Sequence, residues 1–154
     1  MQQPLTASAI ETRLLAAWRH VQAKASAPGL DGIDIADFAT DADRQLKKLA
    51  DALISGTYTP LPVRIFTIQK GEKARELGIL TVRDRIAQHA LAQILSDRYE
   101  PMFLPSSFAF RPGKSAKRAV EQVCSWIQED KPAVFRSDID NYFNRIDGKG
   151  DVQK

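Results

Sequence analysis

The chain has 154 residues, 44% of them apolar and 27% charged, with a net charge of +3 and a single cysteine. That balance suits one globular domain, or one domain and the start of another, and excludes a disordered low-complexity chain; the lone Cys124 excludes an internal disulfide and a cysteine-rich zinc site. No apolar run reaches membrane-spanning length, and the opening MQQPLTASAIETRLL lacks the basic start and apolar block of a secretory leader, so the expected setting is the cytoplasm with no membrane partner.

The first predicted element is a helix over Ala7 to Ala25, where Ile10, Leu14, Ala17, Trp18, Val21 and Ala25 make one apolar stripe. APGLDGID breaks it with Pro28, two glycines and an Asp31-Gly32 turn signal. A second helix is predicted over Ile35 to Ser55, burying Phe38, Ala42, Leu46, Leu49 and Leu53 and stopped by Gly56. After Pro60 and Pro62 come a β-rich run, Val63 to Ile68, a polar connection QKGEKARE, and a second short run, Leu77 to Leu80. They read as two strands joined by a mobile basic loop, packed against the helices because a lone hairpin is marginal in water.

TVRDRIAQHALAQILSDRY is the third predicted helix, with Val82, Ile86, Ala90, Ile94 and Leu95 inward and Arg83, Asp84 and Gln88 elsewhere; Asp84 and Arg85 are expected to pair only locally. A loop with Pro105, Pro112 and Gly113 precedes a fourth helix, Ala116 to Gln128, capped by Ser115 with Ala119, Val123 and Ile127 inside. Ala133 to Ser137 is a strand candidate running into Asp138. His20 and His89 have no ligand partner at helical spacing and read as structural, and Cys124 reads as a buried small residue.

Charge is unevenly spread. Arg64 to Arg118 holds 11 Lys or Arg against 5 acids, while the rest holds 11 basic and 14 acidic residues. The middle of the chain is therefore either a polyanion contact or a set of solvated helix faces. The stretch FRSDIDNYFNRID carries Asp138, Asp140 and Asp147. On a continuing strand, Asp138 and Asp140 would share a face, and two close carboxylates invite a hard cation such as magnesium. Alternatively, Asp140 caps a short helix over Asn141 to Ile146.

Four blocks in order carry a resemblance. PGLDGID, IQKGEKARELGILTVRDRIAQHAL, SSFAFRPGKSAKRAV and DIDNYFNRID resemble successive blocks of bacterial reverse transcriptases of the group II intron type, including their retroelement and CRISPR-associated relatives. The resemblance covers about Pro28 to Asp147. It implies an α+β fold: the helix-rich fingers region of a right-hand polymerase, with a β-hairpin and the first strand of the palm. It divides the chain into an N-terminal helix (1–26), fingers (27–132), the start of the palm (133–147) and a tail (148–154).

By the same resemblance, Asp138 aligns with the first catalytic aspartate and, with the carbonyl of Ile139, would hold Mg2+. Lys70 and Arg75 align with the cations that hold the incoming dNTP, for which a point charge and a bidentate fork are suited. Phe143 aligns with the aromatic gate under the sugar. Arg111 lies where the family approaches the template, and Arg64, Arg83, Lys114 and Lys117 are candidate contacts to the nucleic-acid backbone. The implied partners are an RNA template, a DNA or RNA primer, dNTP, and the remainder of the polymerase or an accessory protein. Asp140 and Asp147 are given structural duties.

The sequence departs from the family at Gln69, where a proline is usual, at Glu76 after Arg75, at Leu80, at Asn144 and in the tail GKGDVQK. No Tyr-x-Asp-Asp motif occurs among the 154 residues. Because two-metal transfer needs its full carboxylate cluster, this polypeptide alone is expected to be unable to polymerise DNA. The alternatives are a non-catalytic nucleic-acid-binding module derived from such an enzyme, and a helical protein-interaction domain.

Overall fold

Helix α1 (Ala7–Gln22) begins where the Thr6 hydroxyl accepts from the Ala9 amide at 3.2 Å, satisfying one of the donors a helix start leaves unpaired. The computed structural model describes residues 6–24, 26–71, 73–129, 131 and 133–139, the side chains of Lys70, Lys73 and Arg75 excepted. Leu14, Ala17, Trp18 and Val21 are buried along α1, the stripe its spacing predicts, and the helix ends three residues before Ala25.

The single helix expected over Ile35 to Ser55 is two. Helix α2 (Ile35–Ala39) opens with a reciprocal capping box, Asp37 N–H to Asp34 at 2.8 Å and Asp34 N–H to Asp37 at 3.2 Å. It ends where the Thr40 hydroxyl donates to the Asp37 carbonyl at 2.7 Å and Asp41 leaves helical geometry. Such side chains offer the backbone local alternatives to a helix, which is why the run breaks here. Helix α3 (Ala42–Ile54) restarts from Asp41 and buries Leu46, Leu49 and Ala50. The break frees Phe38 to meet Trp18, with ring centroids 4.9 Å apart. Gly56 stops α3 as expected, in the left-handed region at φ 71°.

The hairpin is longer and tighter than the sequence implies. Strands β1 (Arg64–Lys70) and β2 (Lys73–Ile79) pair antiparallel from Arg64 opposite Ile79 to Lys70 opposite Lys73, so the supposed mobile loop is mostly strand. The polar residues there kept a β pairing that hydrophobicity alone does not reveal. Its large side chains Ile65, Ile68 and Leu77 are exposed, so the expected packing of the ribbon against the helices is not what secures them.

Helix α4 (Val82–Tyr99) buries Val82, Ile86, Ala87 and Ala90 as well as the charged Asp84; Leu95, expected inside, is exposed. The core joins these residues to those of α1, Phe38 and α3. Burying one such aliphatic side chain is worth about 1.5–3 kcal/mol, whereas an exposed pair such as Arg13–Asp97 is worth about 0–1 kcal/mol, so the apolar core holds this unit. The unit closes with a 3-10 turn, Glu100–Met102, and ends at Phe103.

A second unit starts at Leu104. Its helix α5 (Ala116–Gln128) is capped as predicted, the Ser115 hydroxyl accepting from Arg118 N–H at 3.2 Å. Val123 and Ile127 are exposed and no α5 residue is buried, against the expected inward face. Cys124 is exposed as well. An apolar stripe is buried only where a second layer covers it, and the described residues of this unit supply none. Residues 133–139 form no strand, so Ala133 to Ser137 is not the expected one; Val134 and Phe135 are exposed. Asp140, Phe143, Asp147 and the tail lie outside the described residues.

The arrangement is α+β, with helices and one two-stranded antiparallel sheet. Among the described residues no helix is long and apolar enough to cross a membrane.

Candidate nucleic-acid and nucleotide interface

The hairpin is held at its root by one buried carboxylate. Asp84, 3% exposed, accepts from the Tyr58 hydroxyl at 2.7 Å, the Leu61 amide at 3.0 Å and the Thr81 hydroxyl at 2.8 Å, and Arg83 pairs with it at 3.1 Å. Leu61 leads into β1, and Thr81 follows β2, so a single side chain ties both ends of the ribbon to α4. Burial by itself would raise the Asp84 pKa; the hydrogen bonds from Tyr58, Leu61, Thr81 and Arg83 outweigh it and hold the carboxyl below its ordinary value. The same partnership, after burial, pushes the Tyr58 phenol up to about 12. A local pairing of Asp84 with Arg85 is thus replaced by a network reaching 26 residues back along the chain. The signal was present in the sequence: Thr81-x-x-Asp84 ahead of an apolar run is a helix-start pattern, and Thr81 does cap α4 by accepting from the Asp84 amide at 3.1 Å.

The block PGLDG docks on the same helix start. A Cβ on the buried Gly29 would stand 2.6 Å from both Thr81 Cα and Thr81 N and 2.9 Å from Leu80 C, so only glycine allows this backbone approach. Arg85 completes the joint, donating from Nε to Leu80 O at 3.0 Å, from Nη2 to Ala27 O at 2.8 Å and from Nη1 to the Ser26 hydroxyl.

The candidate cations divide by how the fold uses them. In the first unit, Arg83 donates to Thr59 O at 2.7 Å and lies over the Tyr58 ring, which makes it part of the hairpin root. Arg64 is exposed, its guanidinium 5.7 Å from the Phe66 ring centroid. The register sets Lys70 opposite Lys73 and Arg75 opposite Ile68, and alternation places positions 64, 66, 68 and 70 on one face of the ribbon with 73, 75, 77 and 79. The side chains of Lys70 and Arg75 lie outside the described residues.

In the second unit, Arg111 donates to Leu104 O at 2.7 Å and Ser107 O at 2.8 Å, and Lys114 donates to Pro105 O at 3.0 Å while its ammonium sits 4.9 Å from the Phe108 ring centroid. These two cations therefore fold the loop between Leu104 and Ser115. Phe110, beside Arg111, is fully exposed and adopts φ 57°, a left-handed conformation uncommon for a bulky residue. Lys117 is 86% exposed and reaches Glu121 only at 3.9 Å.

Asp138 is exposed, and one of its oxygens accepts from the Ile139 amide at 2.9 Å. An accessible carboxylate beside a backbone carbonyl is a hard-oxygen donor pair compatible with magnesium, though it fills only part of a six-ligand shell. Among the described residues no group of three or more His, Cys, Asp or Glu could hold a metal ion. Phe143 lies outside the described residues.

No protein-family model matches the chain. It is 33% identical over 127 residues to protein YkfC of Escherichia coli K12, a match covering 79% of this chain and 33% of that protein. It is 35% identical over 114 residues to the group II intron-encoded protein LtrA of Lactococcus lactis subsp. cremoris, covering 69% of this chain and 18% of LtrA. A 91 kDa protein in the cob intron of Schizosaccharomyces pombe is 33% identical over 100 residues, covering 60% of this chain and 12% of that protein. The chain thus spans a third or less of the curated relatives it matches. It is a partial relative of intron-encoded proteins, matched over most of its own length and a minor part of theirs.

Proposed function

We propose that the chain forms the fingers region and the first edge of the palm of a group II intron-type reverse transcriptase, an RNA-directed DNA polymerase. The observation that carries this reading is the 35% identity across 114 residues to a group II intron-encoded protein. The fixed hairpin supports it further. A ribbon secured at its root and exposed along its length suits a surface that meets a ligand, and its register brings positions 70 and 75 to the same face.

In this reading Lys70 and Arg75 hold the triphosphate of the incoming dNTP, and the Phe143 ring excludes a 2′-hydroxyl from beneath the sugar. Arg64 and Lys117, the described candidates least engaged within the chain, contact the backbone of the RNA template or its primer. Arg83, Arg111 and Lys114 contribute by fixing the root and the loop while keeping positive charge at the surface. The carboxylate of Asp138 and the carbonyl of Ile139 would hold magnesium, which supplies charge neutralisation at the phosphates when bound. In the complete enzyme the primer 3′-hydroxyl attacks the α-phosphorus and pyrophosphate leaves. The palm's other catalytic acids come from sequence beyond these 154 residues.

The test is primer extension on an RNA template by this chain joined to its native downstream region. Synthesis that Asp138→Ala abolishes is the expected result, and full activity in that variant overturns the assignment. Salt-sensitive RNA binding without any extension favours a non-catalytic binding module instead.

A further inference from the structure

His20 on α1 and His89 on α4 bring their rings together in a tilted contact, with centroids 4.0 Å apart and planes inclined at 34°. They line an open cavity of about 440 Å³ together with Lys24, Ser26 and Arg85. No carboxylate is among its lining residues. We propose that this cleft is a binding site for a phosphate-class oxyanion, with His20, Lys24, Arg85 and His89 as its ligands and with protonation of the two imidazoles loading it.

The arrangement favours a tetrahedral oxyanion over a cation. Arg85 is held in place by Leu80 O, Ala27 O and the Ser26 hydroxyl. Those bonds use three of the five N–H donors of a guanidinium, leaving one on each terminal nitrogen on a fork already oriented. Lys24 and His20 form no ion pair among the described residues. Four basic side chains lining one cleft can each find an oxygen on a tetrahedral anion, which a planar carboxylate satisfies less fully.

The charged groups around the pair are His20 from α1, Lys24 just past its C-terminal end, Asp31 from the turn, and Arg85 and His89 from α4. Burial lowers the Arg85 pKa, and the negative charge of Asp31 opposes that by favouring the charged form. Burial first, then His20 and Lys24, hold the His89 pKa below its ordinary value. Two imidazolium rings in contact repel each other, so full protonation calls for an anion between the cations.

Gln93 is placed to accommodate the added proton. Its amide nitrogen lies 3.1 Å from His89 Nδ1, and its buried Oε1 has no hydrogen-bond partner. When Nδ1 gains a proton it becomes a donor, and a half-turn of the amide presents that vacant oxygen as the acceptor. Linkage is reciprocal: an anion that prefers the protonated form raises the His89 pKa by the logarithm of the factor through which protonation tightens the anion.

The experiment follows the imidazole NMR signals of the full 154-residue chain through pH 5 to 8, in chloride and then in sulfate at equal ionic strength. Sulfate is the probe because its charge is constant over that range. The expected result is a sulfate-specific rise in the apparent pKa of His89 of about one unit, equivalent to tenfold tighter binding to the protonated form. Lys24→Met, at an exposed position, should reduce the response at least threefold with an unchanged circular dichroism spectrum. Equal titrations in chloride and sulfate overturn the proposal, and so does a sulfate response undiminished in well-folded Lys24→Met.

Inorganic phosphate and a short RNA oligonucleotide then separate the sources. A response to phosphate alone assigns a free ion, and a response to RNA at far lower concentration assigns a backbone phosphodiester. RNA binding that leaves both imidazole signals unmoved, with no response to either free anion, refutes this site while leaving the polymerase reading intact.

Discussion

The Tyr58 hydroxyl donates a 2.7 Å hydrogen bond to Asp84, joining the segment that enters the hairpin to the helix that leaves it. Replacing Asp84 by alanine removes the acceptor of the Tyr58 hydroxyl, the Leu61 amide and the Thr81 hydroxyl in one stroke and leaves Arg83 only its bond to Thr59 O. Removing one partner of a buried charged pair typically costs about 3–5 kcal/mol, so Asp84→Ala should lower the urea midpoint sharply, whereas Tyr58→Phe removes one hydrogen bond and costs about 1–2 kcal/mol. Similar midpoints for the two variants would deny the carboxylate its central place.

The same pair sets two pH edges. The Asp84 pKa is lowered in the fold, so its contribution is present above the unfolded value of 3.8 and is lost as pH falls through the folded one. The Tyr58 pKa is raised from 10.0 to about 12, so its contribution is complete below about 10 and disappears between 10 and 12. Urea titrations across pH should show Tyr58→Phe flattening the alkaline edge specifically.

Gly29 and Gly32 sit three residues apart and should respond differently to alanine. At Gly29 the new Cβ meets backbone atoms of Leu80 and Thr81 that no side-chain rotation can relieve, a clash of the overpacking kind that costs about 1–3 kcal/mol or more. At Gly32 nothing lies within 4 Å and the cost is conformational, from φ 72°, on the order of 1 kcal/mol. Thermal unfolding of the two variants should also separate at the hairpin: amide exchange near Thr81 should accelerate in Gly29→Ala and stay unchanged in Gly32→Ala.

These contacts mark how far the sequence could be read. The α1 stripe, the Gly56 stop and the Ser115 cap follow from local rules, and all three occur as expected. The break at Thr40–Asp41 and the strand character of residues 69–70 and 73–76 were obscured because polar residues carry little hydrophobic periodicity. Burial of Asp84 was obscured for a different reason: its partners Tyr58 and Leu61 lie more than 20 residues away, and only tertiary packing brings them together. The stacking of His20 on His89 is likewise a contact between helices that no spacing within one helix encodes. Of the candidate site, sequence located Arg64 and Lys117 at the surface, but it could not show that Arg83, Arg111 and Lys114 spend their donors on backbone carbonyls.

The His89 environment predicts an acid edge in chloride. Its pKa is depressed in the fold, so the associated stability is present above the unfolded value of 6.5 and is lost as pH falls through the lower folded value. His89→Gln should flatten the stability profile in that window, and His20→Gln should do so partly by removing one of the repelling neighbours. An acid edge unchanged in both variants would place its origin elsewhere.

The division among cations leads to the prediction most directly tied to the proposed function. Each phosphate contact to a single strand contributes about 0.7 to the slope of log affinity against log salt. Arg64 and Lys117 have their charges exposed and lightly engaged, so Arg64→Gln and Lys117→Gln should each lower the slope for a single-stranded RNA by about 0.7 with unfolding midpoints unchanged. Arg83→Gln removes donors to Thr59 O and Asp84, so it should weaken the fold as well as the binding. Lys48→Gln, on α3 outside the basic middle of the chain, is the control and should leave the slope intact. If all four variants shift the slope equally, binding follows net charge rather than these particular side chains, and the assignment of Arg64 and Lys117 fails.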